Sequence, residues 1–257
     1  MANHTYGWRP DKPDKRDLHF TPRARLSMAL PSSIDQTSKH PPITDQGQLG
    51  ACTAFAGVDL AEYLILNGLH DQNPEPFSKL AELGLYYDER VVEGTVSYDS
   101  GAEIRDVLKV IAQTGVGKAS IWPYNISKFT QKPPAAYYAD AANRQGLVYS
   151  RVAQNECVMK GVLAQGLPII IGFTVYDSFE SDAVASTGTV PMPDVRNESV
   201  LGGHAVVVVG YDDSVRRWIM RNSWGTGWGK AGYFTFPYEY LLDPDLSSDF
   251  WVLGSIE

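Results

Sequence analysis

Three short motifs that lie far apart in the chain constrain its fold more than any other feature of the sequence. The first reads DQGQLGAC and ends at Cys52, the second is GHAV around His204, and the third is RNSWGTGWG around Asn222. Each residue type is common by itself, but the three motifs in this order are hard to obtain by chance. A fold that uses all three together must bring the first quarter of the chain against its last quarter.

The surroundings of Cys52 favour a reactive thiol. A free cysteine thiol has a pKa of about 8.5, so near neutral pH it is mostly protonated and a poor nucleophile. The residues after Gly50 predict a helix that begins close to Cys52, and the free N–H groups at a helix N-terminus favour a negative charge. An imidazole such as that of His204, brought alongside, would lower the thiol pKa further. The sequence therefore predicts a nucleophilic cysteine.

The three motifs resemble those of the papain-like cysteine peptidases, and recognisable matches run over residues 30–251. The resemblance implies that Cys52 is the nucleophile, that His204 is the general base and acid, and that Asn222 orients the imidazole. It also implies that Gln46 donates a hydrogen bond in the oxyanion hole, together with the backbone N–H of Cys52. The resemblance also implies that the thiol pKa of Cys52 is as low as that of the papain nucleophile.

Four further residues match the family's substrate-binding positions. Ser100 and Gly101 resemble the cleft wall that pairs with the substrate backbone, Gly203 precedes the histidine, and Trp224 matches the indole that shields the histidine–asparagine hydrogen bond. Two positions depart from the family pattern. Thr53 replaces the aromatic residue that commonly follows the nucleophile, and Gly203 stands where acidic or amide residues are frequent.

The resemblance implies an α+β protein with a two-lobed, papain-like fold and the active-site cleft between the lobes. Residues 30–150 are expected to form a mainly helical left lobe, with residues 30–40 crossing to the other lobe. Residues 151–257 are expected to form an antiparallel β-barrel that carries the histidine and the asparagine. Helical patterns followed by strand patterns support this order. The predicted elements are helices over 53–67, 77–92, 103–113 and 156–165 and strands over 168–176, 205–211, 218–221 and 232–236.

Residues 1–29, here called the leader, are polar and rich in proline and charge, so they cannot build a core of their own. They precede Leu30, where the sequence begins to look like the mature N-terminus of papain-like enzymes. A short pro-region and a disordered tail are both compatible with this composition. Our hypothesis is that the stretch from Tyr6 to Arg25 lies over the cleft and keeps the enzyme latent until it is removed near Leu30.

Composition limits the partners and the compartment. The net charge of −8 argues against nucleic acid as the main partner, and no apolar run is long enough to span a membrane. The five histidines are scattered, so no metal site and no cofactor are expected. Two cysteines cannot form a disulfide framework, and the N-terminus has no apolar signal region. We therefore expect a monomer that acts on peptides or proteins in the cytoplasm or leaves by an unconventional route.

The activity implied by the resemblance is hydrolysis of peptide bonds through a thioester acyl-enzyme, most simply by an endopeptidase. One alternative is a catalytically silent homologue that only binds peptides, although a silent homologue usually loses one of the four active-site residues. Another alternative is an acyltransferase or transamidase that passes the thioester to an amine. The second cysteine, Cys157, falls within a predicted helix, where a core position is the simplest interpretation and redox sensing a minor one.

Overall fold

The computed structural model of the protein describes residues 4–21, 30–69, 77–145 and 148–254. Within these ranges the α-helices are α1 (Cys52–Leu66), α2 (Glu82–Glu93), α3 (Ile104–Gln113), α4 (Ala135–Ala141), α5 (Glu156–Ala164), α6 (Asp182–Thr187) and α7 (Tyr238–Leu242). The strands are β1 (Ser33–Asp35), β2 (Val148–Arg151), β3 (Ile169–Tyr176), β4 (Val200–Asp212), β5 (Arg217–Arg221), β6 (Tyr233–Pro237) and β7 (Ser247–Gly254). None of the described helices is both long and apolar enough to cross a membrane.

All strands belong to one antiparallel sheet with the order β2-β7-β3-β4-β5-β6, and β1 pairs with β4. The α+β architecture agrees with the sequence-based expectation, but the sheet is open in the described residues rather than closed as a barrel. Other segments cover its edges. The leader pairs with β2, where the N–H of Phe20 donates to the Arg151 carbonyl over 2.7 Å. At the opposite edge, the N–H of Val190 donates to the Thr235 carbonyl of β6 over 3.1 Å.

The central strand β4 divides the interior into two hydrophobic cores. Val207 and Val209 face a core built mainly by α1, α2 and α3, whereas Val206 and Val208 face a core on the other side of the sheet. Because successive side chains of a strand point to opposite faces, this run of valines supplies both cores. The same strand carries His204 near its beginning, so the histidine is fixed between two packed layers. The lobe boundary at residue 150 stays a prediction, and the expected end of the leader, residue 29, lies outside the described residues.

Helix α2 begins later than the pattern predicts. We expected a helix from residue 77, but α2 starts at Glu82. The residues before it are held in an extended conformation by other parts of the chain. The N–H of Leu80 donates to a Glu62 carboxylate oxygen over 2.7 Å, and the N–H of Ala81 donates to the Gly117 carbonyl over 2.8 Å. These tertiary hydrogen bonds outweigh the helical propensity of the segment.

Candidate active site

Cys52 is the first residue of α1 and is fully buried. The loop that leads to it is fixed at three points by the rest of the molecule. The N–H of Gln46 donates to the Ser223 carbonyl over 2.9 Å, Tyr124 Oη donates to the Gln46 carbonyl over 2.7 Å, and the N–H of Gly50 donates to Asp99 Oδ2 over 3.0 Å. The thiol is therefore held at the N-terminus of the helix by a rigid loop.

His204 and Asn222 meet because their strands are neighbours in the sheet. His204 lies on β4 and Asn222 directly follows β5, which pairs with β4. The His204 Nε2 and Asn222 Oδ1 atoms are 2.8 Å apart, and the backbone N–H of Ser223 donates to the same oxygen over 2.9 Å. The Trp224 indole stacks on the imidazole, with ring centroids 4.8 Å apart and an interplanar angle of 22°. The arrangement fixes the orientation of the histidine ring and shields its bond to Asn222.

The structure brings the thiol to this pair. The backbone N–H groups of Ala205, the residue after His204, and of Gly7 in the leader lie near the Cys52 sulfur and lower the pKa of its thiol. His204 Nδ1 is buried and has no hydrogen-bond partner in the described part of the chain. Because Nε2 is occupied by Asn222, Nδ1 is the ring atom available for proton exchange.

Burial keeps both reactive groups neutral in this form of the protein. Burial raises the pKa of the Cys52 thiol to about 12, and the nearby N–H groups of Ala205 and Gly7 only partly oppose this shift. Burial also lowers the pKa of His204 to about 4, although the hydrogen bond to Asn222 acts in the opposite direction. At neutral pH the pair is therefore a thiol beside a neutral imidazole, not a thiolate–imidazolium pair.

The Gln46 side chain is fully buried, and its amide has a defined direction. Ser223 Oγ donates to Gln46 Oε1 over 2.6 Å, which leaves the amide nitrogen to act as a donor. Nε2 donates to the Leu49 carbonyl over 2.9 Å and to the Thr5 carbonyl of the leader over 3.2 Å. The atom predicted to stabilise an oxyanion is thus already bound to a peptide carbonyl.

The stretch of the leader from His4 to Trp8 lies in the cleft, and glycine residues allow its backbone to come close. A Cβ atom built on Gly7 would lie 1.8 Å from the Gly50 carbonyl oxygen, and one built on Gly101 would lie 1.9 Å from the Gly7 carbonyl oxygen. The next residue, Trp8, is buried, and its indole lies so close to Gly172 that a Cβ there would be 1.9 Å from the ring. Because these positions are glycines, the leader backbone at Gly7 and the indole ring of Trp8 fit into the cleft without a steric clash.

The four predicted substrate-binding residues have different surroundings. The Gly203 carbonyl accepts a hydrogen bond from the N–H of Trp8 over 2.9 Å, and Trp224 contacts the leader through a stacked ring. Gly101 approaches the leader backbone, but Ser100 Oγ bonds within its own loop, to the Gly101 carbonyl over 2.8 Å. These roles stay predictions, since the bound segment is the leader and not a substrate.

The sequence does not indicate which residue of the cleft wall pairs with the leader backbone. The N–H of Ala102 donates to the Gly7 carbonyl over 2.7 Å, and its carbonyl accepts from the N–H of Arg9 over 3.0 Å. Both groups belong to the backbone, so no side-chain type signals them in the sequence. No group of three or more His, Cys, Asp or Glu side chains in the described ranges is placed to hold a metal ion.

Comparisons with known proteins identify the family to which the chain belongs. A family model described as papain family cysteine protease matches residues 30–240. An uncharacterized peptidase C1-like protein of Acanthamoeba polyphaga mimivirus is 33% identical, over 99% of this chain and 88% of that protein. Ananain from Ananas comosus is 30% identical over 88% of this chain, which spans 59% of ananain.

Solved structures show the same fold. The crystal structure of xylellain, a cysteine protease from Xylella fastidiosa, is 38% identical and superposes with a TM-score of 0.91, over 99% of this chain and 97% of that one. A digestive procathepsin L 3 from the larval midgut of Tenebrio molitor is 19% identical with a TM-score of 0.70, covering 99% of this chain and 77% of its own, and shares the fold.

Proposed function

The chain belongs to the papain family of cysteine proteases, and we propose that it is an endopeptidase that its own leader keeps latent. The observation that carries the proposal is the course of the leader through the cleft. The Thr5 carbonyl accepts a hydrogen bond from Gln46 Nε2, and the N–H of Gly7 lies near the Cys52 sulfur, where it lowers the pKa of the thiol. A segment that occupies both groups excludes a substrate from them.

In the proposed mechanism, His204 takes the proton of the Cys52 thiol, and the thiolate attacks the carbonyl carbon of the scissile peptide bond. The resulting oxyanion accepts hydrogen bonds from Gln46 Nε2 and from the backbone N–H of Cys52. Collapse of this intermediate breaks the C–N bond, and the imidazolium protonates the leaving amine. The product is a thioester between Cys52 and the acyl part of the substrate.

Water then completes the cycle. His204 removes a proton from a water molecule, whose oxygen attacks the thioester carbonyl. The collapse of the second oxyanion breaks the C–S bond and releases the carboxylic acid, and the imidazolium returns its proton to the Cys52 thiolate. Asn222 acts through His204 by holding the ring so that Nδ1 exchanges the protons. The chemistry needs no cofactor, because every group that moves a proton or forms a bond belongs to the chain or to water.

Two features support latency rather than self-cleavage of the docked leader. First, the leader presents an N–H donor to the sulfur of Cys52 at Gly7, whereas attack requires a carbonyl carbon there. Second, the leader removes solvent from Cys52 and His204, which favours the neutral and less reactive pair. Displacement of the leader would both open the site and restore the charged pair.

The function is tested by hydrolysis of a fluorogenic peptide panel under reducing conditions. The proteins compared are the full-length chain, a form that begins at Leu30, and the Cys52→Ala variant of each. We expect the shorter form to hydrolyse peptides, the full-length chain to be slower, and both Cys52→Ala proteins to be inactive. Activity that survives Cys52→Ala would contradict the mechanism. Equal activity of the two wild-type forms would contradict latency, and transfer of the acyl group to an added amine in preference to water would favour an acyltransferase.

A further inference from the structure

Glu180 lies next to the active site and holds two side chains of the leader. His4 Nδ1 is 2.9 Å from Glu180 Oε1 and 3.0 Å from Oε2, and Tyr6 Oη donates a hydrogen bond to Oε1. Burial by itself would raise the pKa of Glu180, but the hydrogen bonds from His4 and Tyr6 hold it below its usual value. The carboxylate is therefore ionised and is satisfied by groups that belong to the leader.

The same position offers an aromatic surface. The His4 ring stacks on the Trp224 indole with ring centroids 3.7 Å apart and an interplanar angle of 2°. An ionised carboxylate beside the face of a tryptophan is an arrangement that attracts a flat cation, because the carboxylate accepts its N–H groups and the indole face is electron-rich. Trp224 also stacks on His204, so this position adjoins the catalytic pair.

Glu180 is held by its own part of the fold and not only by the leader. Phe179, the preceding residue, is buried and packs against Trp224 with ring centroids 5.5 Å apart. Ser181, the following residue, caps α6 by accepting a hydrogen bond from the N–H of Val184 over 3.3 Å. The backbone on both sides of Glu180 is thus anchored by contacts that do not involve the leader.

We infer that Glu180 and the face of Trp224 that His4 covers form a subsite that binds a positively charged side chain of the peptide substrate in the place of His4. The inference rests on the proposed function, since the subsite is free only when the leader has left the cleft. Departure of His4 and Tyr6 would free the Glu180 carboxylate to accept charge-assisted hydrogen bonds from a cationic side chain of the substrate.

Arginine fits this subsite better than lysine. The guanidinium group is planar, so it can stack on Trp224 as the His4 ring does and donate two parallel hydrogen bonds to the Glu180 carboxylate. An ammonium group can satisfy the charge but not the stacking. A cationic side chain that contacts the carboxylate and the aromatic face is expected to be preferred about five- to thirty-fold over a neutral side chain of the same shape.

The test compares matched peptides that differ only in charge. Internally quenched peptides carry arginine or citrulline, its neutral isostere, at each position in turn on both sides of the cleaved bond. The enzyme is the full-length chain with Gly7→Ala, in which the leader cannot dock as it does here. At one position we expect kcat/KM to be about tenfold higher for arginine than for citrulline, and the Glu180→Gln variant of this enzyme to lower that ratio to about one.

The ratio is independent of how much of the enzyme is open, because the open fraction multiplies both rates equally. Glu239→Gln is the matched control, since it removes an exposed carboxylate that pairs with Arg216 away from the cleft, and it should leave the ratio unchanged. A ratio near one at all positions, with both peptides hydrolysed, would show that Glu180 only anchors the leader and would overturn the inference but not the proposed function.

A binding experiment tests whether the Glu180 subsite exists even if no peptide is hydrolysed. If no peptide is hydrolysed, the proposed function fails, and the same peptide pairs are then titrated calorimetrically against full-length chain carrying Cys52→Ala and Gly7→Ala. Tighter binding of the arginine peptide, lost on Glu180→Gln, would support the subsite. Equal binding of the two peptides would contradict it.

Discussion

We expect the protonation of Cys52 to depend on whether the leader covers it. With the leader docked, burial raises the pKa of the thiol to about 12, whereas a thiolate beside an imidazolium is expected in the open enzyme. We therefore predict that iodoacetamide alkylates Cys52 at pH 7 at least about 100-fold more slowly in the full-length protein than in its Gly7→Ala variant. Peptide mass spectrometry of quenched time points gives both rates.

Cys157 provides an internal control for this measurement. The interpretation of Cys157 as a core residue is wrong, because this face of α5 is turned to solvent and the cysteine is exposed. It should therefore be alkylated at the same rate in both proteins. Equal rates at Cys52 in the two proteins would contradict the assignment of the leader as the cause of the neutral thiol. A difference that extends to Cys157 would indicate a global change in structure instead.

The side chain of Gln46 should affect turnover but not the reactivity of the thiol. In the Gly7→Ala background, Gln46→Ala removes a donor to the oxyanion, and we predict that kcat falls about 10²–10³-fold. Alkylation of Cys52 should change little, because no oxyanion forms in that reaction. The exposed Gln48 is the matched control, and Gln48→Ala should retain full turnover. Unchanged kcat in Gln46→Ala would remove Gln46 from the oxyanion hole.

At the scale of single residues, the sequence predicts those residues whose role depends on the chemistry of their side chain. Cys52, His204, Asn222 and Gln46 could be proposed from motifs because few residue types serve as nucleophile, base, ring-orienting amide and amide donor. Ala102 could not, because it contributes only backbone groups. Glu180 could not either, since its position beside Trp224 depends on how two distant loops pack.

The leader as an element is held by one dominant apolar contact. The Trp8 indole is 7% exposed and lies against the backbones of Gly172 and Gly203. Truncation of a buried tryptophan to alanine costs about 3–5 kcal/mol, so Trp8→Ala should undock the leader and increase peptide hydrolysis by the full-length chain about 100-fold. Lys15→Ala, at an exposed leader position, is the control and should stay latent. Hydrogen exchange of leader amides that remains slow in Trp8→Ala would contradict this account.

At the scale of helices and strands, the sequence predicts the elements that have a clear hydrophobic pattern or a glycine at their end. It does not predict the boundaries and strands that depend on contacts with other segments. The valine run of β4 and the glycine after α1 identified these elements to within a few residues. Strand β4 begins before the predicted stretch, at Val200, because its first residues pair with the end of β3. Helix α2 starts late because Leu80 and Ala81 bond to other segments. Strand β7 was missed because its polar start carries no clear alternation.

For the molecule as a whole, buried carboxyl groups should make stability depend on pH. Burial raises the pKa of Glu62 to about 8 and of Asp88 to about 6, and it raises that of Glu89 well above its usual value. A group whose pKa is raised by folding stabilises the native state at low pH, and this contribution is lost as pH rises through the folded pKa. The free energy of unfolding should therefore fall between about pH 5 and pH 8.

Calorimetry of full-length Cys52→Ala protein, which cannot digest itself, measures this dependence. We predict a Tm several degrees lower at pH 8 than at pH 5, since each kcal/mol corresponds to about 2–4 °C for a chain of this size. Glu89→Gln keeps an acceptor for the hydroxyl of Thr53, which donates to Glu89 Oε1 over 3.0 Å, and should flatten the curve. A Tm that is constant or rises over this range would show that these carboxyl groups do not control stability.

The central claim is that the leader blocks a competent peptidase. The most direct test is the Gly7→Ala substitution, which adds one methyl group to the leader. A Cβ on Gly7 would lie 1.8 Å from the Gly50 carbonyl oxygen, so Gly7→Ala cannot keep the docked conformation. The measurement is the initial rate of peptide hydrolysis by full-length wild-type protein and by full-length Gly7→Ala protein in the same assay. The account predicts a rate at least about tenfold higher for Gly7→Ala. Equal rates, with both proteins active, would contradict it.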